Sequence, residues 1–221
     1  MIIRQIENRK SKISSLPFSL LERGLGGEVS RFALLLLVFS LPHLILAQTL
    51  ITVKQDGTGD FMTIQDGVDV AVNGDTVLVW PGTYYENVNI ENKGIILGSL
   101  NLITNDPAYI RQTIINGNKT GSCIRINNSI DTTFICGFTL TNGSGSYNGD
   151  YTGGGFFVRD SQLKILNCNI ANNNVTGAGG GITAYDSYLF LSNVTIAENH
   201  AYTLGGGIAY AYCDIIFDTV G

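Results

Sequence analysis

The sequence predicts an all-β chain wound as a parallel β-helix, a solenoid of stacked coils covered at its N-terminal end by a short capping helix. Three observations carry that expectation. Glycine triplets begin at Gly153, Gly179 and Gly205, two successive intervals of 26 residues, and a fixed period of this length marks a repeat architecture. Between the triplets the same types return in the same columns: Asp160 with Asp186, Ser161 with Ser187, Leu163 with Leu189 and Ile215, Ile165 with Leu191 and Phe217, Asn167 with Asn193, Asn173 with Asn199. Within a repeat the apolar positions alternate, as in Leu189 and Leu191, then Val194 and Ile196 after a break at Asn193. That is the period of short strands and not of helix.

Each repeat therefore holds about three short strands joined by turns. Asparagine tolerates the left-handed backbone of a tight bend, and glycine lets neighbouring backbones approach closely. A coil of three strands stacked on its neighbour about 4.8 Å away buries one continuous column of Leu, Ile, Val and Phe. Leucine-rich repeats have a similar length, but their closely spaced leucines and helical half are missing here.

Taken in order, residues 1–47 stand apart from the fold. FALLLLVFSLPHLILA (32–47) follows Arg31 and precedes Gln48. It reads as a secretory signal cleaved after Ala47, its apolar run of about 15 residues falling short of the ~20 that span a bilayer. A long basic leader with Arg4, Arg9, Lys10 and Lys12 lies ahead of it. The expected folded domain is 48–221, secreted or held at the cell surface, with the membrane met only through the signal segment.

TIQDGVDVAV (63–72) is the one helix expected: Thr63 and Asp66 have capping-box spacing, and Ile64, Val68 and Ala71 share a face. Asn73-Gly74 ends it. An amphipathic helix here would cover the strand edges of the first coil. DTVLVWPGTYYENVNI (75–90), KGIILGS (93–99) and TIING (113–117) read as strands of early, less regular coils. In DTTFICGFTLTNG, Ile135, Gly137, Phe138 and Leu140 lie 30 residues before Ile165, Asn167, Cys168 and Ile170, with GSGSYNGDYT as a turn insertion. No cover of that kind is evident at the far end, and the chain stops about 17 residues into the third triplet repeat. The expectation is a monomer or one part of a longer chain.

Composition narrows the partners. Charged residues are 14% and the net charge is -5, which makes nucleic acid a poor match. Export permits disulfides, and four cysteines is an even number. Cys136 and Cys168 are 32 residues apart, however, where the local register asks for 30, and Cys168 shares a column with Phe138 and Val194. Cys123, Cys136, Cys168 and Cys213 are therefore expected as free thiols, mostly buried.

VKQDGTGDFMTIQDGVDVAVNGDTVLVWPGTYYENVNI (53–90), followed by KGIILGS, TIINGNKTG and GFTLTNG, resembles the opening of the pectin-lyase-like right-handed parallel β-helix superfamily. Within it, pectin methylesterases and exported bacterial β-helix repeat proteins are the most similar. The resemblance implies right-handed coiling, and the GGGI repeats resemble the bacterial repeat proteins, some of them adhesin-like. Pectin methylesterases carry aspartate, glutamine and arginine catalytic groups in motifs of the form QAVAL, QDTL and DFIFG. Where these would fall, this chain has GGGFFVR (153–159), ANNNVTGAG (171–179) and AENHAYTLGGG (197–207), so no catalytic residue carries over.

Two candidate sites remain. Asp160 and Asp186 share a column, with carboxylates about 5 Å apart if on neighbouring coils, a pair suited to Ca²⁺ or to acid/base work. An Asp-Ser turn is the plainer reading, since Tyr212 interrupts the column. If Ile182 and Ala184 point inward, Thr183 and Tyr185 point outward beside Phe157 and Arg159, an aromatic-arginine patch suited to stacking on a sugar ring. His200 reads as a solvated turn residue, and the N-x-S/T triplets at Asn118, Asn127, Asn142, Asn174 and Asn193 read as turns. The expected function is that of an exported non-catalytic scaffold binding polysaccharide or cell-surface glycan, with no cofactor beyond Ca²⁺. The alternative is a polysaccharide-active enzyme, a lyase, esterase or hydrolase.

Overall fold

The computed structural model describes residues 48–147, 150–151 and 153–218. The expected export signal and the last three residues lie outside them. Along the chain the elements run β1 (Leu50–Val53), α1 (Ile64–Val70), β2 (Thr76–Val79), β3 (Gly82–Tyr85) and β4 (Val88–Glu91), then β5 (Ile96–Ser99), α2 (Asn101–Thr104), α3 (Ala108–Gln112), β6 (Thr113–Asn116) and β7 (Ile124–Asn127). Next come β8 (Thr133–Cys136), β9 (Thr139–Thr141), the hairpin β10 (Ser146–Tyr147) and β11 (Asp150–Tyr151), and β12 (Phe156–Arg159). The regular repeats supply β13 (Gln162–Leu166), β14 (Asn169–Ala171), β15 (Asn174–Val175), β16 (Ile182–Tyr185), β17 (Tyr188–Ser192), β18 (Thr195–Ala197), β19 (His200–Ala201), β20 (Ile208–Ala211) and β21 (Asp214–Asp218).

All of these strands but β10, β11, β15 and β19 form three parallel sheets that the chain visits in turn, and β15 pairs with β19 apart from them. Sheet A is β1-β2-β5-β8-β13-β17-β21, sheet B is β3-β6-β9-β14-β18, and sheet C is β4-β7-β12-β16-β20. The molecule is a parallel β-solenoid. Its register is the one read from the sequence: Leu163 pairs with Leu189 and Leu189 with Ile215, Ile165 pairs with Ile135 and Leu191, and Leu140 with Ile170. Within the GSGSYNGDYT insertion β10 and β11 pair antiparallel, and the strands on either side stay in step.

The corners explain the recurrent asparagines. Between sheets C and A, Asn92, Asn128, Asp160, Asp186 and Tyr212 all have positive φ, between 47° and 56°. Gly137, Asn167 and Asn193 do the same between A and B, and Asn142, Asn172 and Glu198 after B. Asn and Asp reach this left-handed region most cheaply among residues with a side chain. Just inside the last set of corners lies a second ladder. Asn173, 1% exposed, accepts from the Gly143 N–H at 2.8 Å and donates to Asn199 Oδ1 at 2.9 Å and to the Leu140 carbonyl at 3.2 Å.

The glycine triplets sit where backbones of successive coils touch. A Cβ on Gly154 would lie 2.5 Å from the Gly180 carbonyl oxygen, one on Gly155 2.7 Å from that of Gly181, and one on Gly181 2.6 Å from that of Gly207. No side chain fits there. Inside the coils, Leu97, Ile135, Leu163, Ile165, Leu189 and Ile182 are fully buried in one core with Phe138 and Phe156, each worth roughly 1.5–3 kcal/mol of apolar burial.

α1 starts as the sequence suggested, Thr63 accepting from the Asp66 N–H, and it buries Ile64 and Val68 beside Val53 and Val77. Both ends are tied to the first coil by charge. The Glu86 carboxylate accepts from the Ile64 and Gln65 N–H groups, both at 2.9 Å, and the Lys93 ammonium donates to the Val68 carbonyl at 2.6 Å and to that of Ala71 at 2.9 Å. These pairings match the dipole at each end. α2 and α3 answer no signal in the sequence reading: they fill the passage from β5 to β6, where Leu102 occupies the space left by Gly98.

The four cysteines are free thiols, three of them buried. Burial pushes Cys123 and Cys168 up to about 12. Among the described residues no helix is long and apolar enough to cross a membrane.

Candidate functional site

The outer face of sheet C carries the first expected patch. Parallel register puts Asn89, Arg125, Phe157, Thr183 and Ala209 in one outward column and Glu91, Asn127, Arg159, Tyr185 and Ala211 in the next. Phe157, Arg159 and Tyr185 are thus brought together, as the strand alternation requires.

Their exposure differs from expectation. Phe157, expected as an exposed ring, is fully buried, and so is Thr183. The Arg125 guanidinium lies 4.8 Å from the Phe157 ring centre and that of Arg159 5.1 Å, while the Tyr185 ring packs at 6.2 Å and 56°. Arg159 also lies 5.5 Å from the Tyr185 ring. Two long cationic side chains from adjacent strands fold over the phenyl ring, each such contact adding roughly 0.5–1 kcal/mol. Thr183 is closed off in its own way, donating to the Ala178 carbonyl at 2.7 Å. The part of the patch that reaches the surface is therefore Arg125, Arg159 and Tyr185, each half-buried, with Phe157 fully buried among them. Alternation assigns a face but does not say which neighbour covers it, so the burial of Phe157 was invisible in the sequence; Arg125, at the matching position of β7, was the available signal.

Asp160 and Asp186 also come together, at successive left-handed corners with φ of 48° and 47°. They line a groove of about 750 Å³ with Gln162, Tyr188, Tyr212 and Asp214. The residue after Asn128, Asp160 and Asp186 shows what the corner does. Ser129, Ser161 and Ser187 stack in one column: the Ser129 N–H donates to Ser161 Oγ at 3.0 Å, and the Ser161 N–H to Ser187 Oγ at 3.1 Å. Ser161 and Ser187 in turn donate to the carbonyl two residues back, at 2.6 Å in both coils. Asp-Ser is thus a unit of turn architecture, and the aspartates occupy corners that favour their backbone type. Among the described residues no group of three or more His, Cys, Asp or Glu converges as a metal would require.

His200 is exposed, in β19 beside Asn174 of β15. A search against protein-family models and curated proteins returns no match for the chain.

Proposed function

We propose that the protein is an exported, non-catalytic β-helix scaffold that presents sheet C to polysaccharide or cell-surface glycan. The observation that carries this reading is the Arg125–Phe157–Arg159–Tyr185 cluster. Its arginines are held in place by the ring beneath them, and a half-exposed tyrosine beside an ordered guanidinium suits stacking and hydrogen bonding to a sugar. The rest of the outward columns is filled by Asn89, Glu91, Asn127, Thr183, Ala209 and Ala211, with Glu91 as their one carboxylate.

In this reading the coils wind right-handed, as the sequence resemblance implies, and α1 covers the N-terminal end of the stack. Supporting the second point, the Gln65 amide accepts from the Asn89 N–H at 2.7 Å and donates to the Asn89 carbonyl at 3.2 Å, filling the edge of β4 as a strand would.

The test is a glycan array together with a polysaccharide-depolymerisation screen, with and without Ca²⁺. Binding without product, weakened about tenfold by Arg159→Ala or Tyr185→Ala, is the expected result. Release of sugar or unsaturated product would overturn the scaffold reading in favour of a polysaccharide-active enzyme.

A further inference from the structure

The patch on sheet C holds two guanidiniums close together. Those of Arg125 and Arg159 lie 4.8 and 5.1 Å from the centre of the same Phe157 ring, and so within about 10 Å of each other. Like charges at that separation repel, and the ring contacts offset the repulsion only in part.

Each guanidinium is positioned. Asn127, 8% exposed, turns its carboxamide so that the oxygen accepts from Arg125 Nε at 2.8 Å and the nitrogen donates to the Ile126 carbonyl at 3.3 Å. Arg159 is half-buried between the Phe157 and Tyr185 rings, and among the described residues no oxygen accepts from its guanidinium. A fork of N–H donors is thus held in place by rings that satisfy none of its hydrogen bonds.

The chemistry selects what fills that fork. Guanidinium donors match oxyanions in geometry as well as charge. A carboxylate has two oxygens and is filled by one fork, whereas a sulfate or phosphate ester has three terminal oxygens and can accept from both arginines. The surroundings limit the charge. Glu91 is exposed in the same outward column two coils before Arg159, and Asp160 and Asp186 stand exposed directly after Arg159 and Tyr185 in the chain. A dense polyanion laid along the sheet would meet these carboxylates. A single ester group on an otherwise neutral sugar would not.

We propose that the Arg125–Arg159 pair binds one sulfate or phosphate ester carried by a sugar, with Tyr185 against the sugar ring. This rests on the glycan-binding reading above and names the substituent that sheet C recognises. The ester supplies selectivity through Arg159, and the ring supplies affinity through Tyr185.

The probes are methyl galactoside, its sulfate and phosphate esters at the primary hydroxyl, and methyl galacturonide, titrated into the full chain and followed by the guanidinium N–H signals in NMR. The glycan array carries the same four forms of other sugars. At least one ester should bind at least about tenfold more tightly than both the parent sugar and the uronide, and the tighter of the two esters identifies the source. Arg159→Gln, which keeps a polar side chain and loses the charged fork, should abolish that preference. Tyr185→Ala should weaken ester and parent sugar alike and leave the preference in place, and Arg111→Ala on α3 should change neither. Far-UV circular dichroism of each variant confirms the fold. Sugars that bind with no preference for an ester, a uronide that binds as tightly as the esters, or a preference that survives Arg159→Gln overturn this inference and leave the glycan reading standing. No binding by any galactoside together with a blank array overturns both.

Discussion

Replacing Asn173 by alanine tests whether the inner asparagine ladder holds the coils together. The side chain is 1% exposed. Truncation leaves the buried Gly143 N–H without its acceptor at 2.8 Å and removes the donor to the Leu140 carbonyl at 3.2 Å and to Asn199 Oδ1 at 2.9 Å. A buried group stripped of its partner costs about 1–3 kcal/mol. The Asn199 oxygen keeps the Asn173 backbone N–H at 3.1 Å, so the full penalty falls mainly on Gly143 and Leu140. The expected loss is about 3–4 kcal/mol, or about 10 °C in Tm for a chain of this size. Urea unfolding followed by far-UV circular dichroism measures it, with the exposed neighbour Asn174→Ala as the control expected within about 0.5 kcal/mol of the parent. A loss under about 1 kcal/mol for Asn173→Ala would refute the argument, and would mean that glycine contacts and apolar columns fix the coil spacing without the ladder.

Three further outcomes follow from the same geometry. Tyr212 holds a left-handed φ of 56° at a corner where the two preceding coils place aspartate, so Tyr212→Asn should raise stability by about 0.5–1 kcal/mol, checked in the same urea assay. Cys123 and Cys168 are pushed from 9.0 to about 12 by burial; with the folded values above the unfolded ones, their stabilisation is complete below about pH 9 and lost as pH rises toward 12. Two such protons give a fall of about 2.7 kcal/mol per pH unit inside that window, and a flat stability profile across it would contradict the burial of these thiols. Gln65→Ala should leave the Asn89 N–H and carbonyl of β4 open; faster hydrogen exchange at Asn89 and increased self-association by light scattering are expected.

Most of the fold was legible before any coordinate. The column Leu163–Leu189–Ile215 could be read because a 26-residue period repeats local chemistry, and stacking turns equal spacing in sequence into adjacency in space. Asn167 and Asn193 could be read for a related reason: a left-handed corner admits few residue types. The helix start at Thr63 is equally local. The candidate site was legible only in part. Strand alternation placed Phe157, Arg159 and Tyr185 on one face, while the burial of Phe157 depends on Arg125, which lies 32 residues earlier and reaches over the ring with a long side chain. The serine column beneath Asp160 and Asp186 was visible as a recurrence, but its hydrogen-bond pattern was not.

What the sequence determined by itself, then, is whatever repeats: the coil, its three strands, its corners and the glycine contacts between layers, since each copy specifies the same local conformation and the stack follows from it. What only the tertiary structure decided lies where the repeat is broken. Gln55, Asp60 and Gln65 hydrogen-bond the backbone of β3, β1 and β4 through contacts made once, Glu86 and Lys93 tie down α1 from later turns of the chain, and α2 and α3 fill a passage that has no counterpart in other coils. A contact made once leaves no period to detect, and its partner is chosen by three-dimensional proximity alone.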